Sequence, residues 1–280
     1  MPRAAVLGSP IRHSLSPVLH RAAYAALGLE GWSYDACEVD EARLPGFVAS
    51  LGAEWAGLSL TMPLKRAVLP LLDEASEVVR QTGAANTLVL RGGRRVGDNT
   101  DVAGIAAALA ERGAGVPQRA VVLGGGATAA SALAALAAMG AGQVTLVTRR
   151  PASAHELAPV AAAAGVRAAP AAWDPPSVAT LLGGADVVVA AATAGAADGV
   201  AAALRAPVRG VLLDVVYDPW PTALAAAWER AGGEVASGLD LLVHQATHQV
   251  LAMTGAQAST AALVEPMRTA GLAALAARAG

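Results

Sequence analysis

The chain has 280 residues, which is enough for one large or two medium domains. Hydrophobic residues make up 55% and charged residues only 15%, a composition that excludes a disordered chain. Its formal net charge of −2 offers no basic surface for nucleic acid and no cationic face for an anionic membrane. The single cysteine, Cys37, excludes an internal disulfide and a multi-cysteine metal site, so we expect a cytoplasmic protein.

Strand-like and helix-like segments alternate over the first hundred residues. Serine is a favoured N-cap and proline fits the first turn of a helix, so Ser16 and Pro17 indicate a helix start. The apolar patterns predict strands at 4–8, 32–39 and 57–61, helices at 17–27, 41–50 and 73–81, and a hairpin of strands 87–90 and 94–97 around Gly92 and Gly93.

The pattern changes after Asp101. A β-α-β-α-β succession there predicts a doubly wound parallel sheet. From about Asp240 the pattern indicates two helices, which we expect to pack on an earlier domain because two helices seldom form a core alone. The elements between are predicted as helices at 102–112, 127–139 and 153–163 and strands at 120–123, 143–147, 166–169, 186–190 and 211–215.

The mean hydropathy of +0.47 requires a test for a membrane span. The longest uncharged stretch, residues 120–148, is long enough to cross a bilayer. Its glycines and polar residues are typical of a strand–turn–helix–strand unit, and the N-terminal apolar stretch is too short for a signal peptide. We therefore expect no membrane partner.

A glycine-rich turn lies between the predicted strand at 120–123 and the predicted helix after it. Its spacing is Gly124-x-Gly126-x-x-Ala129. The first glycine permits a tight turn, the second lets the backbone approach a pyrophosphate, and the alanine allows close helix–strand packing. Since a helix N-terminus also attracts phosphate, the segment predicts dinucleotide binding.

The end of the next strand indicates which dinucleotide binds. NAD sites usually carry an acidic residue there to bond the ribose 2′-hydroxyl. Here the strand ends in Thr148, Arg149 and Arg150, with no carboxylate. Arginine forms bidentate bonds with phosphate, so the sequence predicts NADP as the cofactor.

Only one of the 20 Lys and Arg residues is a lysine, Lys65. Because the chain uses arginine for its other basic positions, the single lysine indicates a role for which arginine is unsuited. A guanidinium stays protonated, whereas a lysine amine can cycle through its neutral form. Lys65 also follows a predicted strand, where open α/β sheets bind ligands. It is therefore a candidate acid–base group.

Eight segments, in order along the chain, resemble one family, the shikimate dehydrogenases. No single segment is specific, but the ordered set is. The segments are GSPIRHSLSP (8–17), LSLTMPLK (58–65), GAANTL (83–88), GDNTD (97–101), the glycine-rich turn, TRR (148–150), YDPWPT (217–222) and GLDLLVHQA (238–246).

The resemblance implies an α/β protein of two domains. The first is an N-terminal substrate-binding domain at 1–103, completed by C-terminal helices at 240–280, and the second is a Rossmann-type NADP-binding domain at 104–239. It also implies reversible reduction of 3-dehydroshikimate to shikimate by NADPH, on the route through chorismate to the aromatic amino acids.

The resemblance also implies residue roles. Lys65 and Asp101 would be catalytic and would hold the hydroxyl that becomes the ketone; which of them is the formal base stays open. Substrate-binding residues would be Ser14, Ser16, Ser59, Thr61, Asn86, Tyr217 and Gln245. Cofactor-binding residues would be Gly124, Gly125, Gly126, Ala127, Thr128, Ala129, Thr148, Arg149, Arg150, Thr193, Val215, Gly238 and Leu241.

Among the positions that depart from the family pattern, two bear on substrate choice. Ser59 stands where members often have asparagine, and we expect it to keep a donor toward the substrate. Asp240 replaces a common glycine. Both bear on how strictly shikimate would be chosen over related substrates, while the proposed catalytic groups are retained.

Other functions stay open on the sequence. A quinate or aminoshikimate dehydrogenase, a methylenetetrahydrofolate dehydrogenase or a non-catalytic NADP-binding regulator could share parts of the pattern. Retention of Lys65 and Asp101 argues against a regulator. The five histidines lack metal-ligand spacing, so we expect no metal. Monomer and homodimer are both compatible with the sequence.

Overall fold

The computed structural model of the chain describes residues 1–205 and 207–279 and divides into two compact units. The first unit comprises Met1–Thr100 and Leu242–Gly280, and the second Asp101–Leu241. The expected domain boundaries, 103/104 and 239/240, lie a few residues from these divisions. Ala206 and Gly280, which fall within the expected domains, lie outside the described residues.

Strands and helices alternate along most of the chain. Residues 1–100 form β1 (Arg3–Gly8), α1 (Ser16–Ala26), β2 (Ser33–Glu38), α2 (Leu44–Ala49), β3 (Trp55–Leu60), α3 (Leu64–Ala67), β4 (Glu74–Ala75), α4 (Glu77–Thr82), β5 (Thr87–Arg91) and β6 (Arg94–Asp98). The later elements are α5 (Asp101–Glu111), β7 (Ala120–Leu123), α6 (Ala127–Ala138), β8 (Gln143–Thr148), α7 (Pro151–Ala163), β9 (Arg167–Ala172), α8 (Pro175–Gly183), β10 (Val187–Ala190), α9 (Asp198–Ala203), β11 (Val211–Asp214), α10 (Ala223–Arg230), β12 (Glu234–Ala236), α11 (Gly238–Thr254) and α12 (Thr260–Ala279).

A mixed sheet with the strand order β2-β1-β3-β5-β6-β4 forms the centre of the first unit. β1 runs parallel to β2 and β3, while β5 pairs antiparallel with β3 and β6. The predicted hairpin of β5 and β6 is confirmed, and Gly92 and Gly93 at its turn have φ of 57° and 78°. Two-residue hairpin turns require such positive φ values, which glycine adopts without strain.

Two details of the sequence prediction for the first unit are wrong. The helix expected at 73–81 begins only at Glu77, because Ser76 is its N-cap and β4 before it pairs with β6. The N-cap of α1 is Leu15, and Ser16 is already helical, with no side-chain capping bond. In both places the expected helix is present but begins at a different residue, and α4 is also shorter than expected.

The second unit is built on the predicted parallel sheet, in the order β12-β11-β10-β7-β8-β9. Every neighbouring pair in it is parallel. The strand order reverses between β7 and β10, and ligands of such sheets bind beyond the carboxyl ends of the strands at this reversal. The doubly wound α/β fold is confirmed.

Both faces of this sheet are covered by helices. Successive side chains of a strand point to opposite faces. Accordingly, Val122 of β7 packs in the core shared with α5, α6 and α7, whereas Val121 and Leu123 pack in the core shared with α8, α9 and α10. The second core contains the fully buried Trp228, whose indole N–H donates to the carbonyl of Gly210 at 3.1 Å.

The two predicted C-terminal helices are α11 and α12, and α12 packs against α1 in the first unit. Among the described helices, none combines the length and apolar character that a membrane crossing requires.

A buried aromatic cluster lies between α1 and β2 in the first unit. The ring of His20 stacks on that of Tyr34, with centroids 3.8 Å apart, and Tyr24 lies at the edge of both. His20 is fully buried, and this burial lowers its pKa to about 3. The imidazole is therefore neutral at neutral pH.

We expect protonation of His20 to oppose folding at acid pH. Its pKa is about 3 in the folded chain and about 6.5 in an unfolded one, so the unfolded chain binds more protons between these values. The stabilisation is fully present above about pH 6.5 and is lost as the pH falls toward 3, by up to about 1.4 kcal/mol per pH unit.

Urea unfolding between about pH 4.5 and pH 7.5 tests this expectation. The comparison is with His20→Phe, which keeps a ring against Tyr34 and cannot take up a proton. The free energy of unfolding of the wild type should fall more steeply toward acid pH. Equal slopes in the two proteins would contradict the prediction.

Candidate active site

The carboxyl end of β3 carries three of the predicted site residues, Ser59, Thr61 and, in the short helix α3, Lys65. The parallel neighbour β1 ends beside it at Gly8, where a Cβ would lie 2.4 Å from Cγ2 of Thr61. Only glycine fits this approach of the two strand ends. Thr61 and Lys65 are thereby placed at the edge of the sheet where α/β proteins bind ligands.

Main-chain hydrogen bonds hold Asn86 at the same edge. Its carbonyl accepts from the N–H of Leu60 at 2.7 Å, and its own N–H donates to the carbonyl of Asp98 at 3.1 Å. The preceding residue, Ala85, donates its N–H to the carbonyl of Lys65 at 2.8 Å. The segments that carry Lys65 and Asn86 are therefore tied directly to each other.

Asn86 is 2% exposed, and its side-chain amide is bonded on both sides. Its Nδ2 donates to Thr100 Oγ1 at 2.9 Å and to Gln245 Oε1 at 3.2 Å. Its Oδ1 accepts from the N–H of Thr100 at 2.9 Å and from the hydroxyl of Thr87 at 2.7 Å. The structure thus brings together Asn86 and Gln245, two predicted site residues that are distant in the sequence.

Ser59 lies in this region but its hydroxyl is committed inside the protein. It accepts from the Tyr34 hydroxyl at 2.6 Å and donates to Gln249 Oε1 at 2.8 Å, and the residue is 4% exposed. The expectation that Ser59 offers a donor to a ligand is therefore not met, because its one hydrogen is already used. Gln249 was not predicted as a site residue, although it lies one helical turn after Gln245 on α11.

Ser14 and Ser16 lie at the start of α1. The N–H of Ser16 donates to Ser14 Oγ at 3.3 Å, a local serine turn that fixes the approach to the helix. Ser14 is half-buried and Ser16 is 4% exposed. The two serines are therefore close in space.

The glycine-rich turn after β7 belongs to the second unit. Gly124 has a φ of +130°, and a Cβ there would lie 2.5 Å from the carbonyl oxygen of Ala191 after β10. A Cβ at Gly125 would lie 2.5 Å from Cβ of Ser153, whereas one at Gly126 would meet nothing within 4 Å. The first two glycines pack against protein, and the third faces open space.

That open space fits a phosphate. Gly126 is the N-cap of α6 and has no side-chain capping bond, so the first N–H groups of the helix point toward it. Ala127 and Thr128 continue the first turn, and Ala129 is fully buried against the sheet. The residues present therefore fit a dinucleotide pyrophosphate at this helix N-terminus.

The arginines that follow β8 are exposed. Thr148 donates its hydroxyl to the carbonyl of Arg150 at 3.0 Å, which fixes the turn. The guanidinium of Arg149 lies over the ring of Trp173, 5.9 Å from its centroid. Trp173 follows β9, the next strand of the sheet, and was not predicted to contribute. Two guanidiniums at this position fit a 2′-phosphate.

The remaining cofactor candidates follow other strands of the second unit. Thr193 is exposed after β10, and Val215 is half-buried after β11. A Cβ at Gly238 would lie 2.2 Å from the carbonyl oxygen of Val215, so only glycine allows these two segments to meet. Leu241 is 7% exposed and packs in the hydrophobic core.

Asp101 is the first residue of α5 and is 4% exposed. Tyr217 is half-buried in the loop after β11. Asp214 holds that loop, because its carboxylate accepts from the hydroxyl of Thr222 at 2.7 Å and from the N–H of Val216 at 3.1 Å. Asp214 was not predicted, and these two bonds make it a support for the loop.

Asp240, a departure from the family pattern, has a structural partner set. Its carboxylate accepts from the N–H and the hydroxyl of Ser237 at 2.8 and 3.0 Å and pairs with Arg112 at 3.2 Å. These bonds stabilise the start of α11, where a carboxylate near a helix N-terminus is favourable.

Within residues 1–205 and 207–279, no group of three or more His, Cys, Asp or Glu side chains is placed to hold a metal ion.

Comparison with known proteins points to one family. The family model described as the shikimate dehydrogenase substrate binding domain matches residues 6–88. A Brucella abortus (strain S19) protein named shikimate dehydrogenase (NADP(+)) is 37% identical over 253 residues, covering 87% of this chain and 86% of that relative.

Solved structures agree. A Mycobacterium tuberculosis shikimate dehydrogenase is 43% identical and superposes with a TM-score of 0.88, covering 96% of this chain and all of that one. A Thermus thermophilus shikimate 5-dehydrogenase, solved in complex with NADP(H) and shikimate, is 32% identical with a TM-score of 0.81, covering 96% of this chain and all of that one.

We expect alanine at Gly124 to reduce mainly the stability of the protein and alanine at Gly126 to reduce mainly its affinity for NADPH. Gly124→Ala should lower the free energy of unfolding by about 2 kcal/mol or more, because of its positive φ and its contact with Ala191. Gly126→Ala should cost less than about 1 kcal/mol but raise the dissociation constant of NADPH about tenfold, because the methyl group occupies the phosphate space.

Urea unfolding and titration of NADPH fluorescence measure the two quantities. Unchanged NADPH affinity in a folded Gly126→Ala protein would show that the open space is not a phosphate site.

Proposed function

Because this chain belongs to the shikimate dehydrogenase family, we propose that it catalyses the reversible reduction of 3-dehydroshikimate to shikimate with NADPH, a step toward the aromatic amino acids. The small-molecule substrate and the single cysteine favour the cytoplasm as the place where it works.

The observation that carries this proposal is the arrangement at the carboxyl end of β3. Lys65, the only lysine of the chain, is tied through Ala85 to the segment of Asn86, whose amide is buried and bonded to Gln245. Amides and hydroxyls placed around a potential acid–base group suit a polyol substrate with several hydroxyls, because each can be bonded without adding charge.

The substrate would be held by neutral donors and acceptors. Ser14 and Ser16 would bond its carboxylate through hydroxyl groups at the start of α1. Asn86, Gln245 and Thr61 would bond its ring hydroxyls, and Tyr217 would lie beside its carboxylate or the cofactor. Ser59 would act through Gln249, since its hydroxyl is bonded inside the protein.

Lys65 would carry the proton step. In reduction its ammonium would donate a proton to the ketone oxygen, and in oxidation its amine would accept the proton of the hydroxyl. Before the proton moves, the positive charge would stabilise negative charge that develops on that oxygen. Asp101 would hold the same hydroxyl and share the proton relay.

The second unit would hold NADP through the residues that fit it. The helix N-terminus at Gly126 would bind the pyrophosphate, and Arg149 and Arg150 the 2′-phosphate. Thr193, Val215, Gly238 and Leu241 would line the remainder of the cofactor site. When bound, NADPH supplies the hydride for reduction of the ketone, and NADP⁺ accepts it in the reverse direction.

A substrate panel tests the function and its cofactor together. We expect oxidation of shikimate with NADP⁺, far slower oxidation of quinate and none of methylenetetrahydrofolate. NADP⁺ should be preferred over NAD⁺ by more than about tenfold, the size of one charge-assisted bidentate contact. Replacing Arg149 and Arg150 by serine should raise the NADP⁺ KM and leave the NAD⁺ KM nearly unchanged.

Quinate oxidised better than shikimate would assign the chain to the related paralogue. An inactive wild-type protein that still binds NADPH would favour the regulator. Equal use of NADP⁺ and NAD⁺ would contradict the role of the two arginines.

Lys65→Arg keeps the positive charge but cannot release its proton at neutral pH. We expect kcat to fall about a hundredfold or more, the usual size of an acid–base contribution, with a much smaller change in shikimate KM. The matched control is the reverse exchange at the neighbouring exposed residue, Arg66→Lys, which should keep wild-type rates. Full activity of Lys65→Arg would refute the assignment.

A further inference from the structure

A continuous chain of buried hydrogen bonds runs through the first unit, from the aromatic cluster to the amide of Asn86. Its links are Tyr34, Ser59, Gln249 and Thr87, in that order. The two end members, Tyr34 and Thr87, are fully buried. Solvent therefore does not compete for these bonds, and each group must find its partner within the protein.

The direction of the chain is set at its aromatic end. Burial raises the pKa of Tyr34 far above its usual range, so its hydroxyl keeps its proton and donates to Ser59. The Ser59 hydrogen then points to Gln249 Oε1. The neutral His20 lies 3.4 Å from the same oxygen through Nε2, and its Nδ1 has no hydrogen-bond partner among the described residues. That pattern suits the tautomer in which Nε2 carries the hydrogen.

These contacts fix which way the amide of Gln249 points. With Oε1 toward Ser59 and His20, its Nε2 faces Thr87, donating to Thr87 Oγ1 and to the carbonyl of Asn86, each at 3.0 Å. Since Thr87 Oγ1 accepts there, its single hydrogen goes to Asn86 Oδ1, at 2.7 Å. The opposite end of the Asn86 amide, Nδ2, then donates to Thr100 Oγ1 at 2.9 Å and to Gln245 Oε1 at 3.2 Å.

We propose that Thr87 and Gln249 are positioning residues that hold the amide of Asn86 with its N–H₂ group toward Gln245, the second amide expected to bond the substrate. This inference rests on the proposed function for the identity of the substrate and on the hydrogen bonds alone for the orientation. Neither residue needs to touch the substrate to act in this way, because both act on Asn86.

Thr87→Val is the direct test, since it replaces the hydroxyl by a methyl group of the same shape. Asn86 Oδ1 loses one donor and Gln249 Nε2 one acceptor. We expect the shikimate KM to rise about three- to tenfold, the value of one neutral hydrogen bond. The kcat should stay within about twofold and the NADP⁺ KM should not change, because the cofactor candidates lie in the second unit.

Thr247→Val is the matched control. Thr247 is also fully buried and in the first unit, but its hydroxyl donates only to the carbonyl of His244, in its own helix. Its replacement removes the same group and should leave the shikimate KM unchanged. Thr87→Ser, which keeps the hydroxyl, should restore the KM to within about twofold of the wild type.

Two further measurements separate positioning from loss of structure. In an Asn86→Ala background, Thr87→Val should add nothing to the loss, because no amide remains to be positioned. Gln249→Met, of similar shape, should give the same selective rise in shikimate KM and serves as the second variant if Thr87→Val does not fold, as judged by circular dichroism.

The orientation itself can be followed without catalysis. In the wild type the side-chain N–H₂ protons of Asn86 should exchange slowly with solvent by NMR, and in Thr87→Val markedly faster. A wild-type protein that does not oxidise shikimate refutes the proposed function but leaves this measurement to decide the inference. Unchanged KM and unchanged exchange in Thr87→Val, an equal KM shift in Thr247→Val, or additivity with Asn86→Ala would each overturn it.

Discussion

Asn86 is almost completely buried, and its backbone and side chain both need partners that water cannot supply. Its carbonyl accepts a hydrogen bond from β3, and its N–H donates one to the end of β6. Its side chain is hydrogen-bonded to Thr100 and Gln245. The hydrogen bonds of this one buried residue therefore require β3, the hairpin of β5 and β6, and helix α11 from the far end of the chain. The first unit cannot complete this site from its N-terminal segment alone.

The second unit meets a different constraint with a different device. At the end of β7 the chain turns between two parallel strands. Only glycine fits at position 124, because Ala191, which follows β10, leaves no room for a Cβ. The turn leads directly into α6, whose first N–H groups lack partners within the helix. The same geometry that permits close strand packing therefore leaves a set of donors for phosphate.

Local patterns in the sequence predicted much of this fold. The parallel strands of the second unit were found because short, fully apolar runs alternate with helices, and the hairpin because two glycines separate two strand patterns. Helices α8, α9 and α10 were missed, because alanine and proline give little contrast between a buried and an exposed face. β4 was missed because two residues carry no periodicity.

The residues of the candidate site divide in the same way. Lys65, Asn86 and the glycine-rich turn were recognisable from composition, spacing and resemblance. The commitment of Ser59 to Gln249 was not, since these residues are 190 positions apart and only the tertiary fold brings them together. One signal was present: Gln249 follows Gln245 by four residues, so a helix places both amides on one side. Asp240 shows the converse, a departure from the family pattern that the structure explains as a helix cap.

A chain with one lysine side chain has one ε-amine, and in this protein it lies on α3, immediately after the strand end that carries Thr61. Isotopic methylation of that nitrogen would introduce a single side-chain probe directly at the candidate site, with the N-terminal amine as the other labelled position. Spectra of larger proteins are usually crowded by many lysines. Here the amino-acid composition removes that background. The signal of the methyl groups on one side-chain nitrogen can therefore follow ligand binding and protonation in the intact protein.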